Sequence, residues 1–395
     1  MSYDFTQTID RKNTDSLKWD GMEPLFGKVP DDTVSMWIAD MDFPSPKEVL
    51  DAMHKAVEFG IFGYPIEDDS CAKSTVAWLE RRHNWAPSTK CMVTIPGVMS
   101  GVTLLIDELT AEGDGVVVQS PIYTPFLNSI RLNKRTIVYN PLIEPTAEDP
   151  CYRIDFDNLR ECFQNGARCL LMSSPHNPAG RVWTREELTQ IADLCQEFDV
   201  AIIADEIHHD MILKGYTHTV MATISEDAAS RTYTCVSASK TFNFGGLPLA
   251  QLICPTQDLA IRMRSGIIAR GLGHGNMMAM VATKAAQASC DYWIDALLEH
   301  IESNRLFTID YFAKHLPAIT MSRQEGTYMA WLNCRATGLS SPEIMKLIAE
   351  HAVILNDGAA FGPGGEQHLR LNLATSQARL EEGLRRLVEA FKGYC

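Results

Sequence analysis

Three polar residues stand at the ends of short apolar stretches, where their side chains could do chemistry. Asp205 ends the stretch VAIIAD, Lys240 follows TYTCVSAS, and Asn177 lies just beyond RCLLMS. Burial lowers the pKa of a lysine, which makes its amine a nucleophile or a Schiff-base former. A buried aspartate needs a neighbouring cation, and a protonated pyridine nitrogen is one such cation.

Pyridoxal phosphate (PLP) needs both of these groups. A lysine holds its aldehyde as a Schiff base, and an acid keeps its ring nitrogen protonated so that the ring can accept electrons. Lys240 and Asp205 are therefore candidates for a PLP site. From their spacing alone, the alternative stays open that both side chains lie on surface turns.

The stretches around these residues alternate between strand-like and helix-like patterns. Between the apolar runs 168–173 and 200–205, Thr184 and Glu187 have the spacing of a capping box, and apolar residues recur at helical intervals up to Phe198. Strand, helix and strand in this order indicate a parallel βαβ unit. Further buried strands are predicted over 115–120 and 232–239, and a helix is predicted from Gly97.

In an open α/β sheet, ligands bind outside the carboxyl ends of the strands. Asn177, Asp205 and Lys240 each follow a predicted strand, and they are far enough apart in sequence for crossover connections between those strands. We therefore expect the three residues to meet at one edge of the sheet.

The pattern changes from about residue 290. Long helices are predicted over 291–314, 341–351 and 377–391, around the short strands TYMAWLN and HLRLNLA. The predicted fold is α/β, with a large domain over residues 46–288 that has a mostly parallel sheet flanked by helices. A smaller α+β domain is predicted over residues 289–395, with residues 1–45 packing against it.

The composition is that of a globular protein. Of the 395 residues 46% are hydrophobic and 22% are charged, which excludes a disordered chain. The net charge of −15 disfavours nucleic acid or an anionic membrane surface as a partner. No apolar run is long enough to predict a membrane span, no secretory signal is visible, and the 11 cysteines form no C-x-x-C pair. We expect a cytoplasmic protein with reduced cysteines and no metal site.

Longer motifs around the candidate residues resemble a known family. The segments SPHNPAGRVW, ADEIHHDM and SASKTFN are similar to the signatures of fold type I PLP enzymes, the aspartate aminotransferase superfamily. WIADMDF, FGYP and DEIHHD most resemble the branch that holds cystathionine β-lyase, cystalysin and the MalY-type proteins. The resemblance covers most of the chain and keeps the family order, and it implies the PLP-transferase fold of type I.

The resemblance implies a role for each residue around the cofactor. Lys240 would form the Schiff base, Asp205 would pair with the ring nitrogen, and Asn177 would hydrogen-bond the ring oxygen O3′. Tyr123 would stack on the ring. The alternative is that Tyr123 is a core aromatic residue without a role at the cofactor. The phosphate would contact the backbone amides of Val98 and Met99, the hydroxyls of Ser237 and Ser239, and Tyr64 of a neighbouring subunit. The two serines could alternatively be ordinary turn residues.

Arg370 in HLRLN resembles the arginine that binds the substrate α-carboxylate, with Asn177 and Tyr123 also facing the substrate. A planar guanidinium suits this task, because it binds a carboxylate with two parallel hydrogen bonds. The alternative is a surface arginine on an edge strand.

Two positions depart from the aminotransferases of this fold. His208 stands where they have a tyrosine near O3′, and this agrees with the lyase branch, which makes His208 a cofactor contact. The segment TFNFGGLP lacks the arginine that usually binds the phosphate, so backbone amides and hydroxyls would carry more of that binding. The segment 269–276 is expected to be a loop at the subunit interface.

The resemblance implies a PLP-dependent carbon–sulfur β-lyase that cleaves cystathionine, cysteine or another S-substituted cysteine to pyruvate, ammonia and a thiol. Lys240 would act as the general base at Cα, and Tyr123 as an acid for the leaving sulfur. The enzyme would be a homodimer with shared active sites and an amino acid as its small-molecule substrate. The alternatives are an aminotransferase and a MalY-type lyase that also binds a regulatory protein.

Overall fold

The computed structural model describes residues 3–66, 68–146, 148–273 and 275–394. The helices are α1 (Met22–Phe26), α2 (Lys47–Phe59), α3 (Ser70–His83), α4 (Val98–Leu109), α5 (Thr124–Leu132), α6 (Phe156–Gln164), α7 (Arg185–Glu197), α8 (Glu226–Arg231), α9 (Ala238–Thr241), α10 (Gln257–Ala269), α11 (Met277–Ser289), α12 (Asp291–His315), α13 (Ser341–Glu350) and α14 (Gln377–Ala390). The strands are β1 (Val34–Ser35), β2 (Met92–Ile95), β3 (Gly115–Val118), β4 (Thr136–Tyr139), β5 (Cys169–Ser173), β6 (Ala201–Asp205), β7 (Thr232–Val236), β8 (Ala250–Ile253), β9 (Thr320–Met321), β10 (Met329–Asn333), β11 (Val353–Ile354), β12 (Asn356–Asp357) and β13 (His368–Asn372).

A seven-stranded sheet forms the centre of the larger part of the chain, in the order β2-β8-β7-β6-β5-β3-β4. The strands β7, β6, β5, β3 and β4 are parallel, and β8 is antiparallel to both of its neighbours. Helices α4 and α7 cover opposite faces of this sheet. The predicted α/β class with a mostly parallel sheet is confirmed.

The two faces of the sheet explain why its strands are apolar throughout. Leu171 and Ile203 belong to the core that includes Val102 of α4, whereas Leu170 and Ile202 pack in a second core with residues of α7. A strand covered on both sides has no solvent face, so its sequence does not alternate between apolar and polar residues. Burying one such side chain contributes about 1.5–3 kcal/mol to the free energy of folding.

A second, four-stranded antiparallel sheet has the order β12-β13-β10-β9. Its apolar side chains, such as Leu369 and Leu371 of β13, pack with Leu380 and Leu384 of α14. The two sheets come from either side of the boundary predicted near residue 289, and the exact domain division stays a prediction.

The N-terminal segment contacts elements from both halves of the chain. Strand β1 pairs in parallel with β11, with Val34 opposite Val353. Phe5 packs with Phe43 and Trp293 in a separate core. Residues near position 40 are thereby held beside the carboxyl edge of the large sheet.

Local structure follows the sequence patterns closely, with differences at two strand ends. The strand predicted over 115–120 ends at Val118, and the other difference lies near Lys240. The capping box of Thr184 and Glu187 begins α7 as predicted. The strand predicted over 232–239 ends instead at Val236. The hydroxyl of Ser237 accepts a hydrogen bond from the backbone N–H of Ser239 at 3.2 Å, which ends the strand and begins the short helix α9 that carries Lys240.

Ten cysteines lie among the described residues, and eight of them are buried. No described helix is both long and apolar enough to cross a membrane.

Candidate active site

The carboxyl ends of three neighbouring strands bring the predicted residues together. Ser173 of β5 is in register with Asp205 of β6, which is in register with Cys235 of β7. Asn177 follows β5 and Lys240 follows β7 on α9, so all three side chains lie at one edge of the sheet. Asn177 and Asp205 are both buried. The three residues therefore lie together at this edge, as we expected from the sequence.

Lys240 is half-buried at the cavity, and its hydrogen-bond partner is neutral. Its Nζ donates a hydrogen bond to the backbone oxygen of Ala39 at 2.6 Å. Burial lowers the pKa of Lys240 to about 8, although the carboxylates of Asp40 and Asp205 oppose that shift. A lysine with this pKa has a substantial neutral fraction near neutral pH, and only the neutral amine can attack a carbonyl or accept a proton.

Asp205 is buried without a cationic side chain within ion-pair distance among the described residues. One of its oxygens accepts a hydrogen bond from the backbone N–H of Ile207 at 3.0 Å. Burial raises the pKa of Asp205 to about 7, and the charge of Lys240 opposes this rise. A carboxylate in this position gains a partner when a cation is placed beside it, as a protonated ring nitrogen would be.

Arg370 on β13 is buried and is surrounded by neutral groups. It donates to the side-chain oxygens of Asn177 at 3.1 Å and Asn356 at 2.6 Å, and to the backbone oxygen of Trp37 at 3.3 Å. Its guanidinium also lies over the ring of Phe361, 4.8 Å from the ring centre. Burial lowers the pKa of Arg370 to about 10. It forms no ion pair with a carboxylate of the described residues, so a charged group remains for a ligand to neutralise.

The amino end of α4 can bind an anion. Its cap residue Gly97 has φ +89°, and no side chain caps the helix. The first amides, including those of Val98 and Met99, therefore have no intrahelical acceptor and can bind a phosphate.

The two predicted serines differ in what they can offer a phosphate. The hydroxyl of Ser237 lies 2.7 Å from the backbone oxygen of Leu249, to which it donates. The hydroxyl oxygens of Ser237 and Ser239 lie 2.9 Å apart. Ser239 lines the open cavity, so its hydroxyl is the more accessible of the two to a phosphate.

Tyr123 and His208 flank this group of residues. Tyr123 lines the cavity and packs edge-to-face on Phe126 at 5.6 Å, and burial raises its pKa. Burial lowers the pKa of His208 to about 3, with the charges of Lys240 and Arg370 adding to the effect. His208 is therefore neutral, and it packs edge-to-face on Tyr328 at 5.8 Å.

Sequence reasoning missed several residues of the site. The hydroxyl of Tyr328 donates to the backbone oxygen of Ala39 at 3.1 Å, the same oxygen that Lys240 contacts. Asn356 and Trp37 contact Arg370 as described above. Ala39 and Trp37 belong to the motif WIADMDF, which was the one available signal, whereas nothing in the sequence marks Tyr328 or Asn356.

Some of these side chains line a cavity of ≈ 760 Å³. Lys240, Tyr123, Tyr328 and Arg370 line it together with residues 38–45. The cavity is large enough for an amino acid together with a cofactor ring.

The cavity lining does not include every predicted site residue. Six that it lacks are Val98, Met99, Asn177, Asp205, His208 and Ser237, and two further predicted features also lie outside it. Tyr64 does not line it and is 89% exposed, on a segment whose apolar side chains face solvent. The predicted interface loop 269–276 includes His274, which lies outside the described residues. Gly273 and Asn276 of the same loop line a second cavity of ≈ 500 Å³.

The residues present fit PLP. Among the described residues, the buried carboxylate of Asp205 has no cationic side chain within ion-pair distance. The amine of Lys240 has a lowered pKa, and the amino end of α4 has uncapped amides. These are the three groups that a pyridine nitrogen, an aldehyde and a phosphate require.

Comparison with known proteins agrees with this geometry. Residues 32–387 match the family model of aminotransferase class I and II. The chain is 37% identical to cystathionine beta-lyase PatB of Bacillus subtilis, over 98% of this chain and 99% of the relative. It is 31% identical to a cystathionine beta-lyase of Corynebacterium glutamicum, over 97% and 98% of the two chains.

Among solved structures, the fold is similar to cystalysin of Treponema denticola, which contains a pyridoxal 5′-phosphate cofactor. The TM-score is 0.95 at 33% identity, with 99% of each chain covered. Fold and site together define a fold type I PLP-dependent enzyme. The chain belongs to the aminotransferase class I and II family, and within that family to the carbon–sulfur lyase branch.

Proposed function

We propose that this enzyme cleaves the Cβ–S bond of cystathionine, cysteine or another S-substituted cysteine, releasing pyruvate, ammonia and a thiol. The observation that carries the proposal is the buried guanidinium of Arg370, which has no carboxylate partner among the residues that the structure describes. It lines the same cavity as a lysine of lowered pKa. This pair suits an α-amino acid, because one group binds the carboxylate and the other removes the proton at Cα. The similarity to two cystathionine beta-lyases supports elimination of sulfur as the outcome.

The binding residues orient the substrate. Arg370 binds the α-carboxylate with two parallel hydrogen bonds, and Asn177 holds the guanidinium from the side. These hydrogen bonds fix rotation about the N–Cα bond, so that the Cα–H bond points toward Lys240. Tyr123 would lie against the cofactor ring and would exclude water from one of its faces.

The proton is handled by Lys240 and Asp205. Bound PLP supplies an electron sink for the electron pair that is left when the Cα–H bond breaks. Lys240 takes this proton on Nζ, and Asp205 keeps a proton on the ring nitrogen. The Cβ–S bond then breaks with its electron pair on sulfur, and the hydroxyl of Tyr123 is placed to give the thiolate a proton. The released enamine hydrolyses to pyruvate and ammonia.

Charge at position 205 is expected to matter more than the length of the side chain. Asp205→Ala and the isosteric Asp205→Asn should each lose more activity than Asp205→Glu, because glutamate keeps the charge that holds the ring nitrogen protonated. Steady-state kcat, measured on enzyme with a known content of PLP, tests this order. Equal residual activity in the three variants would mean that the carboxylate has no electrostatic role.

We also propose a homodimer in which each site receives Tyr64 from the partner subunit. The support is an exposed apolar segment that carries Tyr64; its other exposed apolar side chains are Phe59, Ile61, Phe62 and Ile66. Contiguous apolar surface of this kind is typical of a surface that another protein covers. A second copy of the chain is the occupant that the cofactor site itself would require.

Subunit mixing tests this arrangement. Tyr64→Ala and Lys240→Ala homodimers should each be nearly inactive, and a mixture after subunit exchange should regain about a quarter of wild-type activity, because a heterodimer has one intact site. Mixing Lys240→Ala with Asp205→Ala is the matched control. Each of these substitutions inactivates the site of the subunit that carries it, so a heterodimer has no intact site and should regain no activity. Full activity in a monomeric species during analytical ultracentrifugation would contradict the proposal.

A further inference from the structure

One short segment, residues 37–43, contacts both residues that act on the substrate. The backbone oxygen of Ala39 accepts the hydrogen bond from Nζ of Lys240 at 2.6 Å. Two residues earlier, the backbone oxygen of Trp37 accepts from Nη2 of Arg370 at 3.3 Å. The position of this segment therefore affects the proton acceptor and the carboxylate-binding group together.

On one side, the segment is tied to strand β13. Asn372 of β13 donates from Nδ2 to the backbone oxygens of Ile38 at 2.7 Å and Asp40 at 2.8 Å. Asn372 is fully buried, and it lies two residues beyond Arg370. Strand β13 thus holds the segment beside its own arginine.

On the other side, the segment is tied to the turn that follows Lys240. Asn243 donates from Nδ2 to the backbone oxygens of Met41 at 3.0 Å and Phe43 at 2.6 Å. Its Oδ1 accepts from the backbone N–H of Met41 at 3.0 Å. Its own backbone oxygen accepts from the hydroxyl of Ser45 at 3.2 Å. The side chain of Asn243 makes three of these four hydrogen bonds with backbone groups some 200 residues away in sequence.

The backbone of Asn243 is also specialised. Its φ is +56°, in the left-handed region that asparagine and glycine tolerate better than other residues. This conformation turns the chain directly after α9 and points the amide side chain at the 37–43 segment.

We propose that Asn243 is a positioning residue that fixes the 37–43 segment against the turn that follows Lys240. The inference rests on the function proposed above, because it concerns the amine that removes the Cα proton. Fixing the segment holds the oxygen of Ala39 where Lys240 donates to it, and so limits the positions that the amine can take while it is not bound to the cofactor. Proton transfer depends on such placement, and shifts of less than 1 Å reduce it strongly.

The variant Asn243→Gly isolates the side-chain hydrogen bonds. Glycine adopts φ +56° without strain, so the substitution removes the three amide contacts and leaves the turn permitted. Asn84 provides a matched control, because it also has a left-handed backbone, with φ +52°, and it ends α3 outside the active-site cavity. Asn84→Gly makes the same chemical change away from the site.

The readout is exchange of the Cα proton of L-alanine with deuterated solvent, followed by NMR and normalised to bound PLP. Alanine has no leaving group, so the assay reports proton removal by Lys240 whether the enzyme is a lyase or an aminotransferase. We expect Asn243→Gly to lower the maximal exchange rate about 10-fold or more, with a smaller rise in KM, as loss of a positioning contact predicts. Asn84→Gly should exchange at the wild-type rate, and both variants should be fully folded at the assay temperature.

A second variant separates the donor from the shape of the side chain. Asn243→Asp keeps the shape and the acceptor for Met41 but cannot donate to the two backbone oxygens, so it should be as slow as Asn243→Gly. Wild-type exchange in either variant would overturn the positioning role. Absence of exchange in the wild-type holoenzyme would instead contradict the proposed function, so the two failures are distinguishable.

Discussion

Lys240→Ala is expected to lose turnover by at least about 10²–10⁴-fold, the range that a general base alone contributes. The loss should exceed that of any other single substitution, because the amine that binds the cofactor covalently and the base at Cα are removed together. The structure gives the reason for choosing this lysine, since Lys240 is half-buried and desolvation lowers its pKa to about 8.

Chemical labelling checks the same assignment without relying on activity. Borohydride reduction of the holoenzyme followed by peptide mapping should place the pyridoxyl group on Lys240. The exposed Lys134, which pairs with Glu112 at 2.8 Å, is the matched control, and Lys134→Ala should keep wild-type activity and labelling. A label on a different lysine would show that Lys240 has another role.

Arg370→Ala is expected to lower kcat/KM by roughly 10²-fold or more, because each charge-assisted hydrogen bond to the carboxylate is worth about 1.5–3 kcal/mol. Both binding and chemistry should suffer, since the same grip orients the Cα–H bond. Arg370→Lys should recover only part of the loss, because an ammonium cannot reproduce the planar fork.

The discriminating comparison is between cysteine-type substrates and the corresponding decarboxylated amines. Wild type should strongly prefer the acid, and Arg370→Ala should lose most of that preference. Arg335, which pairs with Glu144 away from the cavity, offers a control arginine whose removal should leave the preference intact. If the preference survives in Arg370→Ala, another residue binds the carboxylate.

The parts of the site that could be predicted from the sequence are those marked by local patterns. Lys240 and Asp205 follow apolar strands, and the register between β6 and its neighbours brings the strand ends together as expected. The capping box of α7 and the helix predicted from Gly97 are also local predictions, and both helices begin at these positions in the structure.

The parts that could not be predicted are contacts between distant segments. The oxygen of Ala39 meets Lys240 across 201 residues of sequence, and Tyr328 reaches the same oxygen across 289. Backbone oxygens have no sequence signature, and a tyrosine in an apolar strand has the pattern of a core residue. Strand β7 ends early because Ser237 caps the short helix α9. In the sequence alone, such a serine looks the same as a serine within a strand, and its contact with Leu249 is visible only in the structure.

The central claim is elimination of sulfur from an amino acid, and product analysis tests it most directly. The holoenzyme is incubated with cystathionine or an S-alkyl cysteine, and pyruvate, ammonia and free thiol are measured with and without an added ketoacid. For β-elimination we expect the three products to form in equal amounts, whether or not the ketoacid is present. An amino-group transfer that requires the ketoacid and releases no thiol would contradict it, because the residues would then perform proton removal without breaking the Cβ–S bond.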